Sequence, residues 1–169
     1  DESNIGPVVG DLTVAKNLVI FGSSDKNVRA LRTDSGVLEW EFLTEGMVWS
    51  TPTVVGDTVY VGSLGHRVYA LSLADGNPKW SFEVGGAVVT SPLVVSNKVF
   101  FGSFDRFFYA VNASTGKEVW RFDEGKAWFW STPITDGRSV YAVATDGKVY
   151  ALDIESGAKR WEFSLGDST

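Results

Sequence analysis

Four tryptophans divide the chain at a nearly constant interval: Trp40, Trp80, Trp120 and Trp161 recur at spacings of 40, 40 and 41 residues. Each is followed two positions later by a phenylalanine (Phe42, Phe82, Phe122, Phe163) and preceded four positions earlier by a glycine (Gly36, Gly76, Gly116, Gly157). Further upstream stand Ala30-Leu31, Ala70-Leu71, Ala110-Val111 and Ala151-Leu152. Gly22-Ser23, Gly62-Ser63 and Gly102-Ser103 form another column, which the fourth repeat replaces with Val143-Ala144. A period of roughly 20–50 residues marks an architecture of stacked supersecondary units, each burying its faces against its neighbours.

Within a repeat the pattern is that of four short strands, A to D. In the second, Ser50 to Val55 and Thr58 to Ser63 flank a Gly56-Asp57 hairpin turn. Arg67 to Ser72 follows, then the turn Ala74-Asp75-Gly76-Asn77-Pro78, then Lys79 to Val84. Strands B and C are apolar on both faces, which requires a sheet covered on both sides. Strand D alternates, as in Trp80-Ser81-Phe82-Glu83, so one of its faces meets water. No stretch carries a 3.6-residue apolar period, which excludes helical repeats. The sequence therefore predicts an all-β fold, a β-propeller of four-stranded antiparallel blades. It forms one domain over residues 1–169, with four blades near 8–43, 48–84, 88–123 and 129–166. Each repeat tryptophan is expected to cover the flank of its blade and pack on the next, its indole N–H reaching a turn carbonyl. Each C–D glycine is expected to supply a positive φ.

At 169 residues, with 44% hydrophobic and 21% charged residues, the chain has ordinary globular composition. A formal net charge of −6 argues against general nucleic-acid binding, which needs clustered Lys and Arg. The absence of Cys excludes a disulfide framework, a thiolate metal site and a Cys nucleophile. No apolar run reaches the roughly 18 residues of a membrane-spanning helix, so no membrane insertion is expected. The N-terminus, Asp-Glu-Ser-Asn, carries no signal peptide, and export would mean that a signal has been removed.

The segment from Ala110 to Trp120 (Ala-Val-Asn-Ala-Ser-Thr-Gly-Lys-Glu-Val-Trp) resembles the tryptophan-docking motif Ala-x-Asp-x-x-Thr-Gly-Lys-x-x-Trp of pyrroloquinoline-quinone (PQQ) repeat propellers. Ala151 to Trp161 matches nearly as well and keeps the motif's acid as Asp153, whereas Arg32 and Ser72 replace it in the first two repeats. The resemblance covers residues 8–166. It implies kinship with PQQ-dependent alcohol dehydrogenases, in which PQQ, Ca²⁺ and a catalytic Asp do the chemistry. It equally implies kinship with non-catalytic members: the outer-membrane β-barrel assembly lipoprotein, extracellular sensor domains of bacterial kinases, and archaeal and bacterial surface proteins. The dehydrogenases of this family carry adjacent Cys residues beside the quinone and eight blades; this chain has no Cys and four blades.

Four blades leave three arrangements open: a small closed ring, half of a longer chain, or two copies completing an eight-blade ring as a homodimer. A lone arc would expose apolar faces on both end blades, which favours self-association or a longer chain over a closed four-blade ring.

In this topology the D–A connections and B–C turns share one face. The connections hold Gly46-Met47-Val48-Trp49, Gly85 to Val89, and Gly125-Lys126-Ala127-Trp128-Phe129-Trp130, the last with one extra residue. Trp49 and Trp130 align with Val9 and Val89, so the repeat itself does not demand Trp there. Together with Trp128 and the B–C residues Phe104, Arg106, His66 and Arg67, they are the candidate partner-binding residues. An aromatic and cationic cluster stacks planar groups or anchors an extended peptide; the structural alternative is that these Trp fill space at the top of the inner strands. Enzyme signatures are missing. His66 is the only His, which excludes a His-rich zinc site, and no nucleophile elbow, phosphate-cradling Gly loop or EF-hand occurs. Ser23-Ser24-Asp25-Lys26 fits Ser-x-x-Lys but lies in a hairpin, and Asn112 of the Asn-Ala-Ser sequon occupies the docking-motif acid position. The expectation is a non-catalytic scaffold, with no cofactor, that binds a protein or peptide partner in a bacterial or archaeal periplasm or exterior. The alternative is a PQQ- and Ca²⁺-dependent oxidoreductase or a fragment of one.

Overall fold

The structure is a computed structural model that describes residues 6–166; the polar Asp1–Asn4 stretch and the end of the 1–169 domain lie outside them. Each blade is a separate four-stranded antiparallel sheet whose strands follow chain order from inside to outside. The first is β1 (Thr13–Ala15), β2 (Leu18–Gly22), β3 (Asn27–Arg32) and β4 (Leu38–Leu43). The second is β5 (Thr53–Val55), β6 (Thr58–Ser63), β7 (Arg67–Ser72) and β8 (Pro78–Glu83). The third is β9 (Leu93–Val95), β10 (Lys98–Gly102), β11 (Phe108–Asn112) and β12 (Glu118–Phe122). The fourth is β13 (Ile134–Thr135), β14 (Ser139–Val143), β15 (Lys148–Asp153) and β16 (Lys159–Ser164). The inner strands are shorter than the sequence suggests: β5 starts at Thr53 rather than Ser50, and β1 starts at the equivalent Thr13 although Leu12 stands there in place of Pro52.

The register repeats as faithfully as the sequence. In every blade the repeat tryptophan pairs with the alanine of strand C: Trp40 with Ala30, Trp80 with Ala70, Trp120 with Ala110, Trp161 with Ala151. The register shifts immediately after each of those alanines. The small partner leaves room for an indole lying flat on the sheet.

The cores lie between blades rather than within them. One cluster joins the first two blades (Ile20, Ala30 and Trp40 against Val59, Tyr69 and Leu71), and equivalent clusters join the second to the third and the third to the fourth. At each joint the tryptophan of one blade meets the C–D turn of the next. Trp40 Nε1–H donates to the Leu73 carbonyl at 3.0 Å, Trp80 to Ala113 at 2.9 Å, and Trp120 to Ile154 at 3.4 Å. The ring carbons lie on Gly76, Gly116 and Gly157, where a Cβ would approach to within 2.6, 2.7 and 2.6 Å. These glycines have φ of 72°, 70° and 74°, so both the conformation and the close approach demand Gly. The chain's content of seven Trp, 11 Phe and five Tyr follows in part from this design, in which every joint is paved with rings. A Phe of one strand D meets a Tyr of the next strand C at each joint: Phe42–Tyr69 at 5.4 Å, Phe82–Tyr109 at 5.8 Å and Phe122–Tyr150 at 5.1 Å between centroids.

The ring is not closed. Trp161, the fourth docking tryptophan, is 47% exposed, against 6% for Trp40 and 8% for Trp120. Gly36, the fourth docking glycine, has a φ of 68° like the others, but a Cβ there would meet nothing within 4 Å. The closed four-blade arrangement is thus excluded in this structure, for the reason that both end faces stand open.

Candidate functional site

The loop face is held together by backbone hydrogen bonds that thread each connection between two B–C turns. Val48, Val88 and Phe129 N–H groups donate to the carbonyls of Ser23, Ser63 and Ser103, the last residues before the B–C turns behind them. The next turn answers: Leu64, Phe104 and Thr145 N–H groups donate to Met47, Ala87 and Trp128 carbonyls. In the third connection Phe129 points inward and is fully buried beside Gly102, where a Cβ would come within 2.3 Å of its own Cβ. Backbone alternation then turns Trp128 and Trp130 outward, 50% and 53% exposed.

Phe104, from the third B–C turn, fills the gap between them. Its ring centroid lies 4.8 Å from that of Trp128 with planes 12° apart, and 5.3 Å from that of Trp130 with planes 23° apart. Three parallel rings therefore stand on the loop face. Elsewhere the repeat puts Met47 or Ala87 at the place of Trp128, and Leu64 at the place of Phe104. Arg106 and Lys126 line a groove of about 240 Å³ beside Trp128, together with Ala127 and Thr145. A second groove of about 450 Å³ adjoins it, lined by Asp105, Arg106, Phe107, Asp123, Gly125 and Lys126. Arg121 stands 5.5 Å from the Phe107 ring centroid.

The backbone of the B–C turns carries a further signal. Lys26, His66 and Arg106 occupy the same turn position with φ of 74°, 62° and 75°, where the fourth blade has Gly147 at 77°. A left-handed conformation disfavours residues with a side chain by about 1–2 kcal/mol, so three blades retain a cation or an imidazole where glycine is the relaxed choice. Lys26, which is not among the candidate residues, shares this conformation with His66 and Arg106, and none of the three is a glycine that would mark it in the sequence.

Of the seven candidate residues, Phe104, Trp128 and Trp130 come together as one stack with Arg106 at its edge. The others do not join it. Trp49 sits in the first connection, partly buried, with its Nε1–H inside the fold and no hydrogen-bond partner. His66 is exposed at the second B–C turn, and Arg67 is held in ion pairs by Glu45 at 3.0 Å and Glu83 at 2.7 Å. The Asp105 carboxylate that shapes the third turn accepts from Tyr109 Oη (2.7 Å) and the Gly85 N–H (2.8 Å); burial first, and that carboxylate second, push the Tyr109 phenol well above its ordinary value.

The fold family raises the question of Ca²⁺ and PQQ. Ca²⁺ takes six to eight oxygen ligands including several carboxylates, and among the described residues no three Asp, Glu, His or Cys side chains converge. No helix of the described residues is long and apolar enough to cross a membrane.

A family model described as outer membrane protein assembly factor BamB matches residues 43–169, which is 127 of the 169 residues. Among solved structures, BamB from Moraxella catarrhalis is similar at a TM-score of 0.73 and 18% identity, over 94% of this chain and 62% of that one. The computationally designed Ika4 protein is similar at 0.81 and 19% identity, over 90% of this chain and 94% of that one. Quinohemoprotein alcohol dehydrogenase from Comamonas testosteroni is similar at 0.81 and 17% identity, over 95% of this chain and 35% of that one. At these identities the likeness is one of fold. The chain spans less than two thirds of the BamB structure and about a third of the dehydrogenase. No curated protein sequence matches.

Proposed function

The chain belongs to the PQQ-repeat family described as outer membrane protein assembly factor BamB, and on that premise we propose that it is a non-catalytic β-propeller scaffold that binds a protein or peptide partner through its loop face. The observation that carries this reading is the half-exposed stack of Trp128, Phe104 and Trp130. Large exposed aromatic clusters on a rigid scaffold mark interaction sites, because ordering them in water gives little and covering them gives much. Arg106 and Lys126 at the edge of the stack add cationic character, which suits a segment with aromatic or Pro side chains next to an acid. His66, Arg67 and Trp49 lie at other joints of the same face and would extend the contact rather than centre it. The family description concerns the outer membrane, which supports a place in the periplasm or on the cell exterior of a bacterium or archaeon. A second copy of the chain, completing an eight-blade ring, is the further partner we propose.

Selection of a random displayed-peptide library against the purified protein tests the loop-face reading. Peptides are expected to be recovered whose binding falls about tenfold or more on Trp128→Ala or Phe104→Ala. Peptides that bind wild type and the Phe104→Ala/Trp128→Ala/Trp130→Ala variant equally would contradict it.

A further inference from the structure

We propose that the two open end faces are the two halves of one tryptophan-docking joint, made in trans: Trp161 of one copy seats on Gly36 of a second copy and donates its indole N–H to that copy's Thr33 carbonyl. The inference rests on the pairing of two chains proposed above and names the contacts that make it.

The register of the repeat specifies the joint. Leu73, Ala113 and Ile154, whose carbonyls receive the three buried indoles, occupy one column of the alignment, and Thr33 is its first-blade member. Gly36 heads the column of Gly76, Gly116 and Gly157, on which those indoles lie. The fourth donor is equally prepared. Trp161 rests against Tyr141 at 5.7 Å between centroids, as Trp80 rests on Tyr60 at 5.9 Å and Trp120 on Phe100 at 5.6 Å. Its blade therefore holds it in the docking pose before anything covers it. Around it Phe163 and Ile134 are exposed, at the places where Phe122 and Leu93 pack in the third joint.

The receiving face has a matching hollow. A groove of about 530 Å³ on the outer side of the first blade is lined by Phe21, Arg29, Leu31, Gly36, Leu38 and Glu41 among others. Leu31 stands in the column of Leu71, Val111 and Leu152, all fully buried in the inner joints. Arg29 stands in the column of Tyr69, Tyr109 and Tyr150, each of which meets the Phe of the preceding blade. In the trans joint the guanidinium meets Phe163, replacing a ring–ring contact by a cation–π contact. Arg29 is buried, held by Asp25 at 2.7 Å and Glu41 at 3.2 Å, and its Nη1 has no hydrogen-bond partner within the chain. At the centre, Leu12 takes the place of Pro52, Pro92 and Pro133. It is exposed opposite the column of Ile134, so two apolar side chains meet where the first two joints use a Thr hydroxyl on a Pro carbonyl. Each copy contributes one donor face and one receiving face, so two copies closing on each other satisfy both and leave none open.

Light scattering on the size-exclusion eluate of the 169-residue chain tests this. Wild type is expected at twice the 18.4 kDa chain mass. Trp161→Ala, and Leu31→Glu on the other half of the joint, are each expected to return it to a single-chain mass with an unchanged circular-dichroism spectrum. Trp128→Ala is expected to leave the pair intact. Wild type at single-chain mass across the concentration range would overturn the pairing itself, and so would a ladder of higher masses, in which the contact propagates without closing. A wild-type pair that survives both Trp161→Ala and Leu31→Glu would overturn the docking contacts while leaving the pairing standing.

Discussion

The joint between the third and fourth blades and the outer face of the fourth blade are the same piece of structure with and without a neighbour. Trp120 and Trp161 occupy the same register opposite an alanine, against an aromatic ring of strand B at nearly equal distance. One is buried with its indole N–H on a carbonyl; the other is half exposed. The conformation of a docking tryptophan is thus set inside its own blade, and its burial by the blade that follows. A blade is a preformed but unsatisfied unit, and the stabilisation of the molecule resides in the joints.

Deleting the two rings is expected to separate the two sites by the largest margin. Trp120→Ala removes a fully docked indole and is expected to cost about 3–5 kcal/mol in urea unfolding. Trp161→Ala in dilute, unpaired protein is expected to cost less than about 1 kcal/mol. The glycines sharpen the same contrast with one methyl group. Gly116→Ala combines a left-handed conformation at 70° with a Cβ 2.7 Å from the Trp80 ring, and is expected to cost about 3 kcal/mol. Gly36→Ala has the same conformation at 68° and open space, and is expected to cost only the conformational share of about 1 kcal/mol under dilute conditions. The receiving face differs from the inner joints in carrying Arg29, ion-paired with Asp25, where they carry Tyr69, Tyr109 and Tyr150. Burial opposes ionisation of Asp25, but the Arg29 guanidinium and the Asn27 N–H outweigh it and bring its pKa from 3.8 down to about 2. A depressed carboxylate stabilises the fold above its unfolded pKa and loses that contribution as pH falls towards 2. Asp25→Asn is therefore expected to cost about 1 kcal/mol near neutrality and to flatten the loss of stability between about pH 4 and pH 2, measured by denaturant unfolding at each pH. The smallest effect belongs to the loop face. Arg106→Gly is expected to leave stability unchanged or raised by up to about 1 kcal/mol, while weakening the peptides selected on the aromatic stack.

The blade pattern, the hairpins and the docking tryptophans were legible because they repeat. Four copies in register turn a weak local pattern into a strong one, and β6 and β7 fall on the residues that apolar runs and turn chemistry mark out. The inner strands read less well: each pairs over only two or three residues. At the candidate site the exceptions to the repeat pointed to Trp128, Trp130 and Phe104, but nothing in the sequence says that Phe104 slots between the two indoles. That depends on Phe129 turning inward in a connection one residue longer than the others. Trp49 is an exception to the repeat too, yet it lies in a different connection. The positive φ of Lys26, His66 and Arg106 was hidden because none of them is glycine.

The most direct measurement is the solvent exchange of the tryptophan indole N–H groups by NMR in concentrated protein, with Trp161 assigned by substitution. Docking in trans predicts that Trp161 joins Trp40, Trp80 and Trp120 among the slowly exchanging indoles and becomes fast on dilution or on Leu31→Glu. A Trp161 indole that exchanges as freely as those of Trp128 and Trp130 at every concentration would contradict the account.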